Sequence, residues 1–138
     1  MIIEFQKEYR WLSNFWLVPI TINGVTYPSS ENAYQASKTL IPEEREYFIT
    51  CTPGQAKRKS QEITIRDNWD LFKVAIMRDI LIQKFKDPEM RAKLIATGDQ
   101  TIREGNNWND TFWGVSLRTG KGENRLGQLI MEIRESLI

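Results

Sequence analysis

The chain has 138 residues, a length that favours a single domain, and its 19 Lys and Arg nearly balance its 18 Asp and Glu. A uniformly basic nucleic-acid-binding surface is therefore excluded. The lack of histidine and the single cysteine, Cys51, exclude imidazole catalysis, an intrachain disulfide and histidine- or multi-cysteine metal sites. No apolar run approaches the ~20 residues of a membrane helix, and one cysteine suits a reducing compartment, so we expect a cytoplasmic protein without a membrane partner.

Short strands followed by a helix are predicted in the first part of the chain. Apolar residues in 2–5 and 15–27 predict strands, and the pair Asn23-Gly24 predicts a hairpin turn because both residues tolerate positive φ. Ser30 is then expected to cap a helix that ends near Leu40.

Helices are predicted in most of the remaining chain. Thr52-Pro53 and Asp87-Pro88 each combine a capping side chain with proline at the first helical position, and Gly98 is typical of a helix end. A long helix is expected over 66–85 and a last helix over 123–137, with a short strand at 112–117. The apolar face expected on the long helix is formed by Trp69, Phe72, Ile76, Ile80 and Leu81.

These elements predict one domain over residues 1–138. Its fold class is α+β and mostly helical, with about five helices around a small antiparallel β element. The chain has five Trp, four Tyr and six Phe, and we expect some of these rings to stack on a ring-shaped ligand rather than to fill the core.

The first group of candidate site residues lies on the helix expected after Ser30. Glu31, Gln35 and Lys38 share one face of such a helix, which brings a carboxylate, an amide and an amine together. This set suits proton transfer or attack on an electrophilic carbon. The alternative is a solvated polar stripe.

A second group lies in the segment 106–114, which is rich in Asn and contains two tryptophans. Asp110 and its neighbouring amides suit the hydroxyl groups of a sugar, while Trp113, next to Gly114, offers a face for a sugar or base ring. The alternative is an Asx-rich turn that the tryptophans anchor to the core.

A third group is the glycine-rich loop that leads into the last helix. Gly120, Gly122 and Asn124 suggest free backbone N–H groups at a helix N-terminus, which can hold a phosphate. The loop matches neither a Walker A loop nor a dinucleotide fingerprint, and a flexible turn is the alternative.

Two further polar groups are candidates for contacts with a substrate. Lys57 begins a run of three basic residues, which suits a phosphate or is only a solvated surface. Ser13 and Asn14 lie between apolar residues, which suggests side chains that point into a pocket or a turn before the hairpin.

A series of short motifs, taken in chain order, resembles the NADAR family, also called YbiA-like. The resemblance spans nearly the whole chain, and the motifs are Leu12-Ser13-Asn14-Phe15, Ser30-Glu31-x-x-Tyr34-Gln35-Ala36-x-Lys38, Ala56-Lys57, Trp69-x-x-x-Lys73-x-x-x-Met77, Lys84-Phe85, Leu94-x-x-Thr97-Gly98-Asp99, Asp110-x-x-Trp113-Gly114, Gly122-x-Asn124-x-Leu126-Gly127 and Met131-x-x-Arg134.

The resemblance implies a mostly helical N-glycosidase that cleaves the C1′–N bond between a ribose and an exocyclic amino group. The implied substrates carry ADP-ribose on guanine, including guanine in nucleic acid, or are phosphorylated ribosylaminopyrimidines of riboflavin synthesis. The implied catalytic residues are Glu31, Trp69 and Asp110. We expect no cofactor, and no metal either, because without histidine and with one cysteine a metal site would need only oxygen ligands, and no cluster of carboxylates in the sequence suggests one. Family members commonly carry histidine directly after the motif glutamate, where this chain has Asn32. A non-catalytic ADP-ribose-binding module is the alternative from a different functional class.

The chemistry of this bond suggests roles for these residues. Cleavage through an oxocarbenium-like state needs a carboxylate and an acid for the leaving amine, which suits Glu31 and Asp110. Cleavage through an imine needs a lysine, which suits Lys38. We expect Trp69 and Trp113 to line the ring pocket.

Overall fold

In the computed structural model, which describes all 138 residues, the chain divides into two units. Residues Asn14–Lys84 form the central unit, and Met1–Ser13 together with Phe85–Ile138 form the terminal unit. The expectation that 1–138 is one domain stays a prediction. The predicted class is confirmed: the chain is mostly helical α+β, with six α-helices and one 3₁₀ helix rather than about five helices.

An antiparallel hairpin opens the central unit and confirms the predicted turn. Strand β1 (Leu17–Ile22) pairs with β2 (Val25–Ser29), and the turn residues Asn23 and Gly24 have φ of 51° and 81°. Both values lie in the left-handed region that this kind of two-residue turn requires. The strands therefore begin later, and end later, than the expected 15–27.

Helix α1 (Ser30–Ala36) is shorter than expected and begins one residue earlier. Its cap is Ser29, whose Oγ accepts a hydrogen bond from the backbone N–H of Asn32 at 3.1 Å, so the prediction of Ser30 as cap is wrong. The helix ends at Ala36 rather than near residue 40. There the Oγ of Ser37 donates to the carbonyl oxygen of Ala33 at 2.7 Å, a local bond of the kind that competes with helical hydrogen bonding.

Two short helices follow, of which only the second was predicted. Helix α2 (Pro42–Thr50) buries a single residue, Phe48, so its sequence carries no helical apolar pattern that could have revealed it. Helix α3 (Pro53–Lys59) begins as expected. Its Thr52 and Gln55 exchange hydrogen bonds between side chains and backbone, which is a complete capping box.

The long helix α4 (Trp69–Lys84) is confirmed, although its buried face differs from the expected one. Ile80 and Leu81 are buried as expected, but Phe72 is 43% exposed and lies 4.9 Å below the guanidinium carbon of Arg66. Met77 and Lys84 complete the buried face.

The terminal unit begins with a 3₁₀ helix, Lys7–Leu12, where no helix was expected. The strand predicted over 2–5 is wrong, because only Ile2 pairs, in a single parallel bridge with Ile102. Helix α5 (Pro88–Ala96) is capped by Asp87, and Gly98 follows its end with φ of 65°, both as predicted.

The strand expected over 112–117 is reduced to two residues. Strand β4 (Val115–Ser116) pairs in parallel with β3 (Gly105–Asn106), so the second β element is not antiparallel. The apolar pattern of the last helix predicts a buried face of Leu126, Leu129, Ile130, Ile133 and Leu137. In α6 (Arg125–Ser136) the first four are buried, whereas Leu137 lies just beyond the helix and is half-buried. None of the helices is long and apolar enough to cross a membrane.

Asn32 fixes α1 to the end of α2. Its Nδ2 donates to the carbonyl oxygens of Phe48 at 3.0 Å and Cys51 at 2.9 Å, and its Oδ1 accepts from the Oγ of Ser29 at 2.6 Å. The side chain is fully buried. These bonds satisfy two buried carbonyl groups that would otherwise lack partners.

Replacement of Asn32 by alanine should therefore destabilise the fold. We expect the free energy of unfolding to fall by about 3 kcal/mol, because Ser29, Phe48 and Cys51 all lose a buried partner. Urea denaturation followed by circular dichroism measures the loss. The exposed Asn107→Ala is the control, with an expected change below about 0.5 kcal/mol. A loss below about 1 kcal/mol in Asn32→Ala would contradict the role of this network.

Candidate active site

Glu31 and Gln35 form a buried hydrogen-bonded pair on α1. The Nε2 of Gln35 donates to the Oε2 of Glu31 at 2.6 Å, and Glu31 is 9% exposed. The backbone N–H of Glu31 donates to the carbonyl oxygen of Asn14 at 2.9 Å. The shared face predicted for Glu31 and Gln35 is thus confirmed, and the alternative of a solvated stripe is wrong because both side chains are buried.

Lys38 lies in the turn after α1 and belongs to the same cluster. Its backbone N–H donates to the carbonyl oxygen of Gln35 at 3.1 Å, which continues the helical path by one turn. Burial lowers the pKa of the Lys38 ammonium, the charge of Glu31 raises it in part, and the charge of Lys73 lowers it. A carboxylate and an amine therefore act on each other's charge in this cluster.

Two aromatic rings lie beside the amine. The ring of Tyr34 lies 5.3 Å from the Nζ of Lys38, and the ring of Trp69 packs on Tyr34 with centroids 5.4 Å apart. Trp69 is half-buried and is the first residue of α4. One turn further, Lys73 pairs with Asp70 at 3.1 Å. Tyr34 thus lies in contact with both Lys38 and the predicted site residue Trp69.

The cluster contains polar atoms that are buried and have no hydrogen-bond partner. They are the Oδ1 of Asn14, the Oγ of Ser30 and the Oε1 of Gln35. A buried polar group without a partner costs about 1–3 kcal/mol, so such atoms are rare in folded proteins. The oxygens of Asn14 and Gln35 are acceptors that a ligand hydroxyl or amino group can satisfy. Asn14, predicted as a contact with substrate, lies beside Glu31, whose backbone N–H donates to its carbonyl oxygen.

The two carboxylate oxygens of Asp110 differ in their hydrogen bonds. Its Oδ1 accepts hydrogen bonds from the backbone N–H groups of Phe112 at 3.2 Å and Trp113 at 2.9 Å. The Asx-turn alternative is thus correct for this oxygen. Oδ2 accepts no hydrogen bond in the structure, so one carboxylate oxygen remains for a hydroxyl group or a water. The roles predicted for Asp110 and Trp113 in catalysis and ring binding stay predictions.

Asn106 organises the loop that carries Asp110. Its Oδ1 accepts from the backbone N–H groups of Trp108 at 3.3 Å and Asp110 at 3.1 Å, and its Nδ2 donates to the Oε2 of Glu104 at 2.9 Å. Gly114 follows in the same loop, where a Cβ atom would collide with the side chain and backbone of Glu104. Gly114 therefore serves close packing, and contact with substrate through it stays a prediction.

The expectation of free backbone N–H groups in the glycine-rich loop is wrong. Gly120 donates to the carbonyl oxygen of Ser116 at 2.8 Å, and the first residues of α6 donate to carbonyl oxygens of the segment 111–114. Gly122 has φ of 151° and packs against the backbone of Gly114, so a side chain there would collide. Binding of a phosphate by Gly120 and Gly122 stays a prediction without this support.

Asn124, another predicted contact with substrate, is engaged inside the terminal unit. Its Nδ2 donates to the carbonyl oxygen of Ile102 at 2.9 Å and its Oδ1 accepts from the backbone N–H of Glu104 at 3.0 Å. It also has φ of 52° and is 9% exposed. These bonds give the side chain a structural role in holding the start of α6.

The two remaining predicted residues, Lys57 and Ser13, differ in exposure. Lys57 is exposed on α3, with its Nζ 6.0 Å from the ring of Phe15. Ser13 is half-buried and directly follows the 3₁₀ helix, where its backbone N–H donates to the carbonyl oxygen of Arg10 at 3.0 Å. Their contacts with substrate stay predictions.

Sequence reasoning missed two lysines that the structure marks out. Lys73 influences the pKa of Lys38, and its position four residues after Trp69 in the motif was the available signal. Lys84 is fully buried, and burial lowers its pKa to about 7. The motif Lys84-Phe85 was the available signal for Lys84, but the apolar pattern of α4 did not predict its burial, because a lysine in an apolar face is ordinarily expected to reach solvent.

Comparison with known proteins identifies the family. The NADAR domain matches residues 3–138. The chain belongs to the NADAR family. It is 40% identical to N-glycosidase YbiA of Escherichia coli, over 99% of this chain and 88% of that protein. The solution structure of the E. coli protein YbiA matches the fold with a TM-score of 0.86 at 39% identity, over 99% of this chain and 84% of that one.

A third similarity extends to a longer protein. A riboflavin biosynthesis protein of Vibrio vulnificus is 35% identical, over 97% of this chain and 37% of that protein. Together with the YbiA relatives, the family membership confirms the expected class of enzyme, an N-glycosyl hydrolase. The alternative of a non-catalytic binding module is not supported.

Asn32 occupies the position after the motif glutamate, and its contacts explain how the chain uses it. Its amide is saturated by Ser29, Phe48 and Cys51, on a side of α1 that the Glu31–Gln35 pair does not share. In this protein that position serves the fold, and the role of Glu31 in proton transfer stays a prediction.

Replacement of Glu31 by glutamine should abolish turnover and keep the fold. The amide of the new side chain can still accept a hydrogen bond from Gln35 but cannot transfer a proton, so we expect a loss of about 10²–10⁴-fold in kcat. Release of free base, followed by mass spectrometry, measures the loss. Glu135→Gln, at an exposed site of α6, is the matched control. Activity of Glu31→Gln within about threefold of the parent would remove Glu31 from the mechanism.

Proposed function

We propose that this protein hydrolyses the C1′–N bond between the ribose of an ADP-ribosyl group and the exocyclic amino group of guanine, in nucleic acid or in nucleotides. The observation that carries the proposal is the buried cluster of Glu31, Gln35 and Lys38, which joins a carboxylate to an amine of lowered pKa. A carboxyl group can transfer the proton that the leaving amine needs, and a neutral amine can attack an anomeric carbon.

The unpartnered oxygens of the cluster support a polar substrate. The Oδ1 of Asn14 and the Oε1 of Gln35 are acceptors beside Glu31, and ribose hydroxyl groups are donors that fit them. Trp69, half-buried against Tyr34, supplies an aromatic surface beside the amine for the sugar or base ring. The substrate then satisfies buried groups that the free protein leaves without partners.

Lys38 is proposed as the nucleophile. The ribose ring opens when the C1′–O4′ bond breaks and a proton passes from the exocyclic nitrogen to O4′, which leaves C1′ joined to guanine as an imine. The neutral Nζ of Lys38 adds to C1′ and passes a proton to the carboxylate of Glu31. Glu31 returns this proton to the guanine amine as the bond from C1′ to that amine breaks, and water hydrolyses the remaining imine between C1′ and Nζ to release the sugar and restore the lysine. The lowered pKa of Lys38 supports this route, because only the neutral amine can attack.

Direct hydrolysis is the competing route in the same cluster. Water, deprotonated by a carboxylate, then bonds to C1′ while the leaving amine takes a proton, and Lys38 acts only through its charge. The two routes differ in one observable: only the lysine route passes through a covalent adduct with the protein.

A phosphorylated ribosylaminopyrimidine is the second candidate substrate. The similarity to the riboflavin biosynthesis protein of Vibrio vulnificus favours it. The ADP-ribosyl substrate is favoured by the three successive cations of α3, Lys57, Arg58 and Lys59, because a pyrophosphate and a nucleic-acid backbone carry more negative charge than one phosphate monoester. Phe15 lies beside the first of these cations and is 41% exposed.

A direct comparison of the two substrates tests the proposal. The protein is incubated with DNA that carries ADP-ribosylated guanine and, in parallel, with the phosphorylated ribosylaminopyrimidine, and the released amine is followed by mass. We expect faster turnover of the ADP-ribosylated DNA, with Glu31→Gln as the inactive control. Preferential turnover of the pyrimidine would replace the proposed substrate, and no turnover of either would refute the proposed reaction.

The role of Lys38 predicts both an adduct and a pH profile. Borohydride added during turnover should reduce the imine and leave a sugar on Lys38, located by peptide mapping, and Lys38→Arg should be inactive. The neutral fraction of Lys38 increases with pH, so kcat/KM should rise through its lowered pKa. In Lys73→Met the loss of a nearby positive charge raises that pKa, and the rise should move to higher pH.

The exposed Lys86→Met is the control for this pH profile and should leave it unchanged. Measurable activity of Lys38→Arg together with the lack of an adduct would establish direct hydrolysis instead. An adduct on a different residue would show that the reacting carbon lies elsewhere.

A further inference from the structure

A separate cavity of about 280 Å³ lies in the central unit, away from the Glu31–Gln35 pair. It is bounded by the end of β1, by α2, by the segment before α4 and by α4 itself. The only residue next to α1 that lines it is Ser37, which lies about 160° around the helix from Gln35 at 100° per residue. None of the residues predicted to bind substrate lines this cavity.

Two arginines whose guanidinium groups are held by neighbouring residues line the cavity. The Nε of Arg45 donates to the carbonyl oxygen of Thr39 at 2.6 Å, and the guanidinium of Arg66 stacks 4.9 Å from the ring of Phe72. The backbone N–H of Arg66 also donates to the carbonyl oxygen of Lys38 at 2.7 Å. Both side chains are half-buried, and none of these contacts involves an acidic residue.

The positive charge of the cavity is only partly compensated, because one carboxylate faces two guanidinium groups. Neither Arg45 nor Arg66 forms a salt bridge in the structure, and the one carboxylate in the lining, Asp79, is exposed and pairs with neither. Two guanidinium groups that share a small cavity repel each other, and an anion bound between them removes this cost. Guanidinium groups bind phosphate and carboxylate oxygens in the same forked geometry.

Size and lining select among anions. Ile22, Ile76 and Ile80 contribute an apolar surface beside the two arginines. The volume lies just below the range typical of drug-sized ligand pockets, which excludes a dinucleotide. A phosphate monoester carries a charge near −2 at neutral pH and matches two guanidiniums, whereas a carboxylate carries only −1.

We propose that this cavity is a binding site for a small phosphate monoester, with the phosphate held by Arg45 and Arg66 and a short apolar group against the isoleucines. The site is independent of the proposed glycosidase reaction. The cavity and the Glu31–Lys38 cluster are linked by one backbone hydrogen bond, from the N–H of Arg66 to the carbonyl oxygen of Lys38.

Titration of the full chain with propyl phosphate, followed by amide chemical shifts, tests the proposal. We expect saturable binding with shifts at Ile22, Arg45 and Ile76, and weakening of about tenfold or more in each of Arg45→Met and Arg66→Met. Arg103→Met, at an exposed site of the terminal unit, is the matched control and should change the affinity by less than twofold. Affinity should fall as salt is raised.

Further probes separate the chemistry of the ligand. Butyrate should bind more weakly than propyl phosphate because of its single charge, and inorganic phosphate should bind more weakly because it leaves the apolar wall uncovered. Equal binding of inorganic phosphate would overturn the assignment of an organic ester. No saturation by propyl phosphate, or shifts confined to the Glu31–Lys38 cluster, would overturn the site itself. Thermal melts identify a variant that has lost its fold. The titration of the wild-type protein with propyl phosphate tests the site even if a variant does not fold.

Discussion

Burial of the polar helix α1 is the constraint on which the rest of the central unit depends. Every residue from Ser30 to Ala36 is buried, although most of them carry polar groups. Buried polar groups must find partners, and the chain supplies them from Ser29 at the helix start and from the carbonyl groups near the end of α2. The hairpin and α2 therefore have to lie where they do for α1 to be buried at all.

The same constraint shapes the cluster of Glu31, Gln35 and Lys38. On the side of α1 that carries Asn32, the buried polar side chain has its hydrogen-bond partners. On the side that carries Gln35, buried oxygens have no hydrogen bond. Burial lowers the pKa of Lys38, and this effect is larger than that of the Glu31 charge, which raises the pKa. One side of this helix therefore costs stability, and it carries the groups to which the proposed reaction assigns roles.

Local features of the fold were predictable because each depends on residues close together in the chain. The turn at Asn23-Gly24, the cap at Asp87 and the capping box of Thr52 and Gln55 all form within four residues. Glu31 and Gln35 could be paired for the same reason, since they are one helical turn apart. Helix α2 escaped prediction because Phe48 is its only buried residue.

The sequence by itself determined the helical α+β class, the family and the residue types available for catalysis, because composition, caps and motif order are properties of the chain. Only the tertiary structure decided which of the polar residues are free to act. Asn124 and the Oδ1 of Asp110 are occupied by partners inside their own unit, whereas Gln35 and Asn14 keep unpartnered oxygens. Hydrogen-bond partners distant in sequence and the degree of burial make this difference, and neither is written in the local pattern.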